Sequence, residues 1–170
     1  WDKENVSIPK ISFYPIDNQM TEERLFRLGY LDLTSTIPLR KLDYYRINRP
    51  QSLLLHPYIG VYYYRLNVKN LPLDNKLVRK ALAYSIERSQ ITEYILKGGE
   101  RPAFYYVPGG IGSYRSPEKI KYDIEYAKGL LAQAGYLDGK NFPSVEILFN
   151  SSEAHKIIAE AIQRMWKKNL

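Results

Sequence analysis

Residues 58–67 read YIGVYYYRLN, and this stretch limits the fold more than any other. A β-strand sends neighbouring side chains to opposite faces. Val61, Tyr63, Arg65 and Asn67 then share one face, while Tyr62, Tyr64 and Leu66 share the other. Neither face is purely apolar or purely polar, so an ordinary half-buried strand with one wet side is a poor description. Either both faces are covered, or one lines a space that is sometimes wet and sometimes occupied. Tyrosine suits such a place, because it carries a flat apolar body and a polar tip. The chain has 16 tyrosines among 170 residues.

Hydrophobic residues make up 45% of the sequence, enough for a sizeable core. No apolar run approaches the roughly 20 residues a membrane-spanning helix needs, and the opening WDKENVSIPK does not read as an export leader. Cysteine is absent, which removes disulfides, thiol nucleophiles and cysteine-bound zinc. His56 and His155 are the only histidines, too few for a histidine-rich metal site. The net charge is +7, but the basic residues are scattered, with Arg79-Lys80 and Lys167-Lys168 the densest pairs. Nucleic-acid binding through a basic, tyrosine-rich surface is therefore a minor alternative.

Along the chain, alternation predicts strands over Ile8–Ile16, Tyr30–Thr34, Ser52–Leu55, the tyrosine segment and Ser144–Asn150. Thr21 with Glu22 and Glu23 predicts a helix start, with Gly29 as its stop. Pro38 opens a second helix. Asp74 is placed as the N-cap of a third, with Leu73 packing on Val78 and with Val78, Ala81, Leu82, Ser85 and Ile86 forming its inner face. A further helix is expected from Ser89 to Lys97, then a Gly-, Pro- and Tyr-rich loop over 98–117. Asp123 caps the next helix, which Gly135 ends. Ser152 caps the last, whose stripe Ala154, Ile157, Ile158, Ala161, Ile162, Met165 and Trp166 has helical spacing. Both ends of the sequence read as interrupted, which suggests part of a longer protein.

Catalytic chemistry finds no support. Neither Gly98-Gly99 nor Gly109-Gly110-Ile111-Gly112 is followed by the Lys-Ser or Lys-Thr of a phosphate loop, and no Gly-x-Ser-x-Gly elbow exists. No carboxylate pair stands out for acid–base work. His56 reads as a strand-end residue and His155 as a solvated one in the first turn of its helix. Catalytic residues, metal ligands and cofactors are accordingly all expected to be none.

The stretch YYYRLNVKNLPLDNKLVRKALAYSIERSQITEYILKGGERPAFYYVP resembles the family 5 extracellular solute-binding proteins, the oligopeptide-binding proteins of ABC importers. The pattern runs through Tyr62 to Asn67, Leu71 to Asn75, Val78-Arg79-Lys80-Ala81-Leu82, Ile86-Glu87-Arg88, Gly98-Gly99 and Pro102-Ala103. FRLGYLDLT, YAKGLLAQAGY, VEILFN and the closing helix match in order. Glu87 stands where the family usually has Asp, a minor departure.

The resemblance implies an α/β protein, part of a two-lobed type II periplasmic-binding-protein fold with mixed sheets flanked by helices. Residues 1–60 would end the first lobe, 61–68 form the inter-lobe crossover strand, and 69–170 begin the second lobe. It implies capture of an oligopeptide between the lobes and delivery to membrane permease subunits, with no nucleic-acid partner. The location would be the periplasm, or the cell surface as a lipoprotein in a Gram-positive host. Nickel complexes, haem or sugars are alternative ligands within such a family. The complete protein would be monomeric, with self-association open to an isolated piece. The implied cleft residues are Tyr58, Tyr63 and Arg65, with Asn67 nearby. Arg65 would favour acidic side chains or a ligand carboxylate, since its fork pairs with either; a salt bridge to the other lobe is the competing role. Arg79 and Arg88 are read as structural.

Overall fold

Helix α3 (Lys76–Tyr84) organises the second half of the chain. Its cap is Asn75, whose side-chain oxygen accepts the Leu77 N–H at 2.8 Å, one residue beyond the expected Asp74. The Asp74 N–H is engaged in a preceding turn with the Asn70 carbonyl, and Asn75 has the extended backbone that a cap requires. Arg79 donates to the Leu73 and Asp74 carbonyls, both at 2.8 Å, and so holds the approach to the helix. Val78, Ala81 and Leu82 are buried, as the 3.6-residue spacing predicts, and Ser85 is buried beside them.

Helix α4 (Ile124–Gln133) packs against α3. Asp123 caps it by accepting the Tyr126 N–H at 2.9 Å, and Gly135, at φ +94°, lets the chain turn away. Ala127, Leu130 and Leu131 complete one core with the buried face of α3. Residues Gln90–Leu96 form a π-helix, closed by Lys97 in the left-handed region. Its Ile91 meets Ile158 and Ile162 of α5 (Glu153–Asn169) in a second core. Trp166 touches both clusters.

The first half carries α1 (Gln19–Arg27), capped by Asn18 rather than Thr21, and α2 (Leu39–Asn48), which follows Pro38 as expected. Glu23 is buried between them. It accepts from the Tyr45 hydroxyl at 3.0 Å and from Arg27 at 3.3 Å, the condition under which a buried carboxylate is tolerated. Helix α2 also reaches the second half. Arg40 pairs with Glu153 at 3.1 Å, Lys97 pairs with Asp43 at 2.7 Å, and Arg46 donates to the Lys97 carbonyl at 2.6 Å.

These features belong to a computed structural model in which residues 2–108, 111–115 and 120–170 are described. Gly109 and Gly110, part of the expected glycine loop, lie outside the described residues. Among the described residues there is no β-strand, so the mixed sheets are not observed. A ladder needs a second backbone about 4.8 Å away, and none of the five expected strands pairs with another. Their alternation persists in places. Val145 and Ile147 are half-buried while Leu148 is 94% exposed.

Trp166 should be the most sensitive single position. Trp166→Ala is expected to cost about 3–5 kcal/mol, through lost contact with both cores. Trp166→Phe should cost only about 1 kcal/mol, for the lost hydrogen bond from the indole N–H to the Leu82 carbonyl. Urea unfolding of the two variants checks the difference, and equal losses would show that Trp166 is not the bridge.

Candidate functional site

The two faces of the tyrosine segment have different neighbours. Tyr62 and Tyr64 lie together, ring centroids 5.5 Å apart and hydroxyls 3.3 Å apart. Tyr64 packs on the Ile91–Ile158–Ile162 cluster. Tyr62 stacks on the His155 ring at 4.5 Å. His155 is therefore not an idle surface residue: its Nδ1 also meets the Asn150 side-chain oxygen at 2.7 Å. Asn150 in turn accepts the Ser152 N–H, so it organises the start of α5, where Ser152 makes no side-chain cap.

Tyr63 points the other way, to Tyr106, with centroids 4.9 Å apart and ring planes at 73°. Both tyrosines stay exposed, at 48% and 66%. Arg65 follows at the alternating position and is exposed. Among the described residues no carboxylate lies within ion-pairing distance of it. The Tyr106 hydroxyl is held above the ordinary tyrosine range by its hydrogen-bonding interaction with Tyr63 and by charge interplay with it, with the Arg65 guanidinium pulling the other way. Tyr63 and Tyr106 thus form an exposed aromatic pair, with exposed Arg65 two residues along the segment from Tyr63.

Tyr58 stands apart, 91% exposed, its ring lying over the Gly60 backbone where a Cβ would overlap it. Asn67 uses its side-chain oxygen to accept the Lys69 N–H at 3.2 Å, holding the turn after the segment. Of the four expected residues, Tyr63 and Arg65 are exposed two residues apart, Tyr58 is exposed ahead of them and Asn67 holds the turn after them. Tyr106 was not singled out. Its position in the aromatic run AFYYVP was the available signal, but no local pattern ties that loop to Tyr63. An apolar groove of about 1000 Å³ lies elsewhere, between residues 142–149 and α5, lined by Phe142, Val145, Ile147 and Trp166. None of the four expected residues lines it.

The tyrosine segment thus packs Tyr64 on the core and leaves Tyr62 and Tyr63 half-exposed against other aromatic rings. The sequence comparison defines the class. The family described as bacterial extracellular solute-binding proteins, family 5 Middle, matches residues 1–170, and the chain belongs to that family.

Particular relatives follow. The oligopeptide-binding protein OppA of Bacillus subtilis is 34% identical over all of this chain, which covers 33% of that protein. The Escherichia coli murein tripeptide binding protein MppA overlays with a TM-score of 0.82 at 32% identity, over 92% of this chain and 32% of that one. Its unliganded open form overlays at 0.65, over the same 92% of this chain and 31% of the other. Haemophilus influenzae OppA, in complex with RPPGFSPFR, overlays at 0.76 with 34% identity, over 91% of this chain and 31% of that one. The chain spans about a third of the length of the relatives it matches.

Burial raises the Tyr64 pKa first, and its bond with Tyr62 adds to the effect. The Tyr45 pKa is raised too, by burial and then by Glu23. A tyrosine in the unfolded chain ionises near pH 10, so above that value the folded chain binds more protons than the unfolded one. Stability present below about pH 10 is then lost as pH climbs toward the folded pKa values. Urea unfolding between about pH 9 and 11 should show a falling midpoint, and Tyr64→Phe should flatten the fall. An unchanged slope in that variant would exclude Tyr64 as the cause.

Proposed function

We propose that this chain is the middle part of the substrate-binding component of an ABC importer, which captures oligopeptides between two lobes and presents them to membrane permease subunits. The observation that carries the reading is the tyrosine segment, with Tyr64 packed on the core, Tyr62 stacked on His155, and Tyr63 and Arg65 exposed, in a chain matched throughout by a solute-binding family. Similarity to a relative solved in complex with RPPGFSPFR supports peptide as the ligand class. The reading places the protein outside the cytoplasm, in the periplasm or on the cell surface as a lipoprotein. Its role is capture rather than catalysis.

In this reading residues 1–60 belong to one lobe, 61–68 cross between lobes, and 69–170 begin the other. The lower overlay on an unliganded open form, over the same share of the chain, supports a moving junction inside this span. The expected sheets of the two-lobed type II fold would form where the unpaired segments meet strands of the longer protein. Tyr58 and Tyr63 offer stacking area without demanding one side chain, Arg65 selects for carboxylate, and Asn67 steadies the turn beside them. A transporter of varied peptides gains affinity from the ligand main chain and keeps its side-chain contacts permissive.

Native mass spectrometry of the full-length protein as purified tests this. A ladder of short peptides of mixed sequence is expected, and a single non-peptide species would overturn the ligand class. Arg65→Glu should lower the share of Asp- and Glu-containing peptides about tenfold, since a hydrogen bond to a charged group contributes about 1.5–3 kcal/mol. An unchanged composition would remove Arg65 from the site.

A further inference from the structure

We propose that one face of α2 is a polar latch that holds the two halves of the chain together in the closed protein, so that ligand affinity depends on residues remote from the ligand. The proposal rests on the peptide-binding reading and the division into lobes given above, and adds to them the contact that sets how readily the lobes part.

Arg40, Asp43 and Arg46 recur at every third position along α2 and share one side of that helix. Leu42 and Tyr45 are its buried residues, and the Tyr45 ring meets Phe26 of α1, so α2 is fixed in the first half by its apolar side. Neither residue joins the two apolar cores of the second half. The polar side reaches across instead. One carboxylate oxygen of Asp43 meets Lys97 Nζ at 2.7 Å, and the other meets Arg46 Nη1 at 3.0 Å. Arg46 Nη2 donates to the Lys97 carbonyl at 2.6 Å, which closes a ring of three residues. An isolated surface pair gains little because two long side chains must be ordered for one contact. In the ring each ordered side chain serves two contacts. The Lys97 backbone is already fixed, left-handed at the end of the π-helix, with its N–H on the Thr92 carbonyl at 2.9 Å. The bonded Lys97 ammonium also holds the Asp43 carboxyl below the usual carboxylate range.

Arg40 supplies a second grip, on Glu153 at 3.1 Å in the first turn of α5. Lys97 and Glu153 adjoin elements that pack on each other through Ile91, Ile158 and Ile162, the cluster that also carries Tyr64. Helix α2 therefore holds one packed unit at two points. Charged groups rehydrate as they separate, so such a contact opens at less cost than an apolar one of equal size. The chain overlays on MppA with a TM-score of 0.82 and on its unliganded open form with 0.65. The latch is formed in an arrangement nearer the first. A contact made in one arrangement and lost in the other shifts the population between them, and apparent affinity follows the competent fraction.

Calorimetry on the full-length protein, stripped of endogenous ligand, tests this with Ala-Ala-Ala and RPPGFSPFR as probes. Asp43→Lys should weaken both by about three- to tenfold, by equal factors, because the latch acts on closure and not on ligand contacts. Lys97→Asp should do the same, and the left-handed backbone there accepts Asp. Combining the two substitutions restores an opposite-charge pair and should return both affinities to within about twofold of wild type. Raising salt from about 0.05 to 0.5 M should narrow the gap between wild type and Asp43→Lys for the net-neutral Ala-Ala-Ala, since exposed charges are screened. Equal affinities in wild type and the single variants overturn the latch and leave the peptide-binding reading intact. So does a loss confined to one probe, which marks a ligand contact, or a double variant no better than the single ones, which marks structural damage. A wild-type protein that binds neither probe overturns the peptide-binding reading and the latch with it.

Discussion

The carbonyl end of α3 is the point on which the second half of the chain depends. A helix ends with carbonyls that lack partners within the helix, and burying them unpaired costs free energy. Here they are met by groups from elsewhere. The Trp166 indole N–H donates to the Leu82 carbonyl at 3.0 Å, the Asp123 N–H to the Tyr84 carbonyl at 2.9 Å, and the Asn169 amide to the Ser85 carbonyl at 2.9 Å. The start of α4 and the end of α5 are thereby tied to one helix terminus. Both Ser85 and Asn169 are buried, so solvent does not compete for the last of these bonds. Arg88 extends the same arrangement by filling the Ala83 and Ile86 carbonyls and carrying Phe104 on its guanidinium face.

That anchoring gives the tyrosine segment two neighbours, and among the described residues no second strand pairs with it. On one side α5 supplies Ile158, Ile162 and His155; on the other the 104–106 stretch supplies Tyr106. The segment is held by its side chains, which leaves its backbone polar groups without a ladder among the described residues. Its position therefore follows from the two surfaces its side chains touch. Helix α2 adds ion pairs from the first half to Lys97 and Glu153, links that are largely exposed and individually weak.

Helices were readable because their signals are local. Pro38 and Asp123 mark their starts, Gly135 marks an end, and the faces of α3 and α5 follow from residues three and four apart. Caps shifted by a few residues where two good candidates adjoin, as with Asp74 and Asn75, because backbone conformation chooses between side chains of similar chemistry. The two-sided character of residues 61–66 was equally legible, since alternation is a property of consecutive residues.

Strand pairing was not legible, because alternation shows which side chains share a face and says nothing of a second backbone to complete the ladder. The same limit applied to the candidate site. Tyr63 and Arg65 are two residues apart and read together; Tyr106 is more than forty residues away, and its approach to Tyr63 depends on Arg88, Phe104 and the end of α3. His155 likewise read as a surface residue until Tyr62 was placed on its ring. The sequence by itself determined the helices, their buried faces and the family to which the chain belongs, all carried by short-range spacing. Only the tertiary structure decided which face of the tyrosine segment meets the core and which distant residues join the other, because those contacts depend on how separate elements pack.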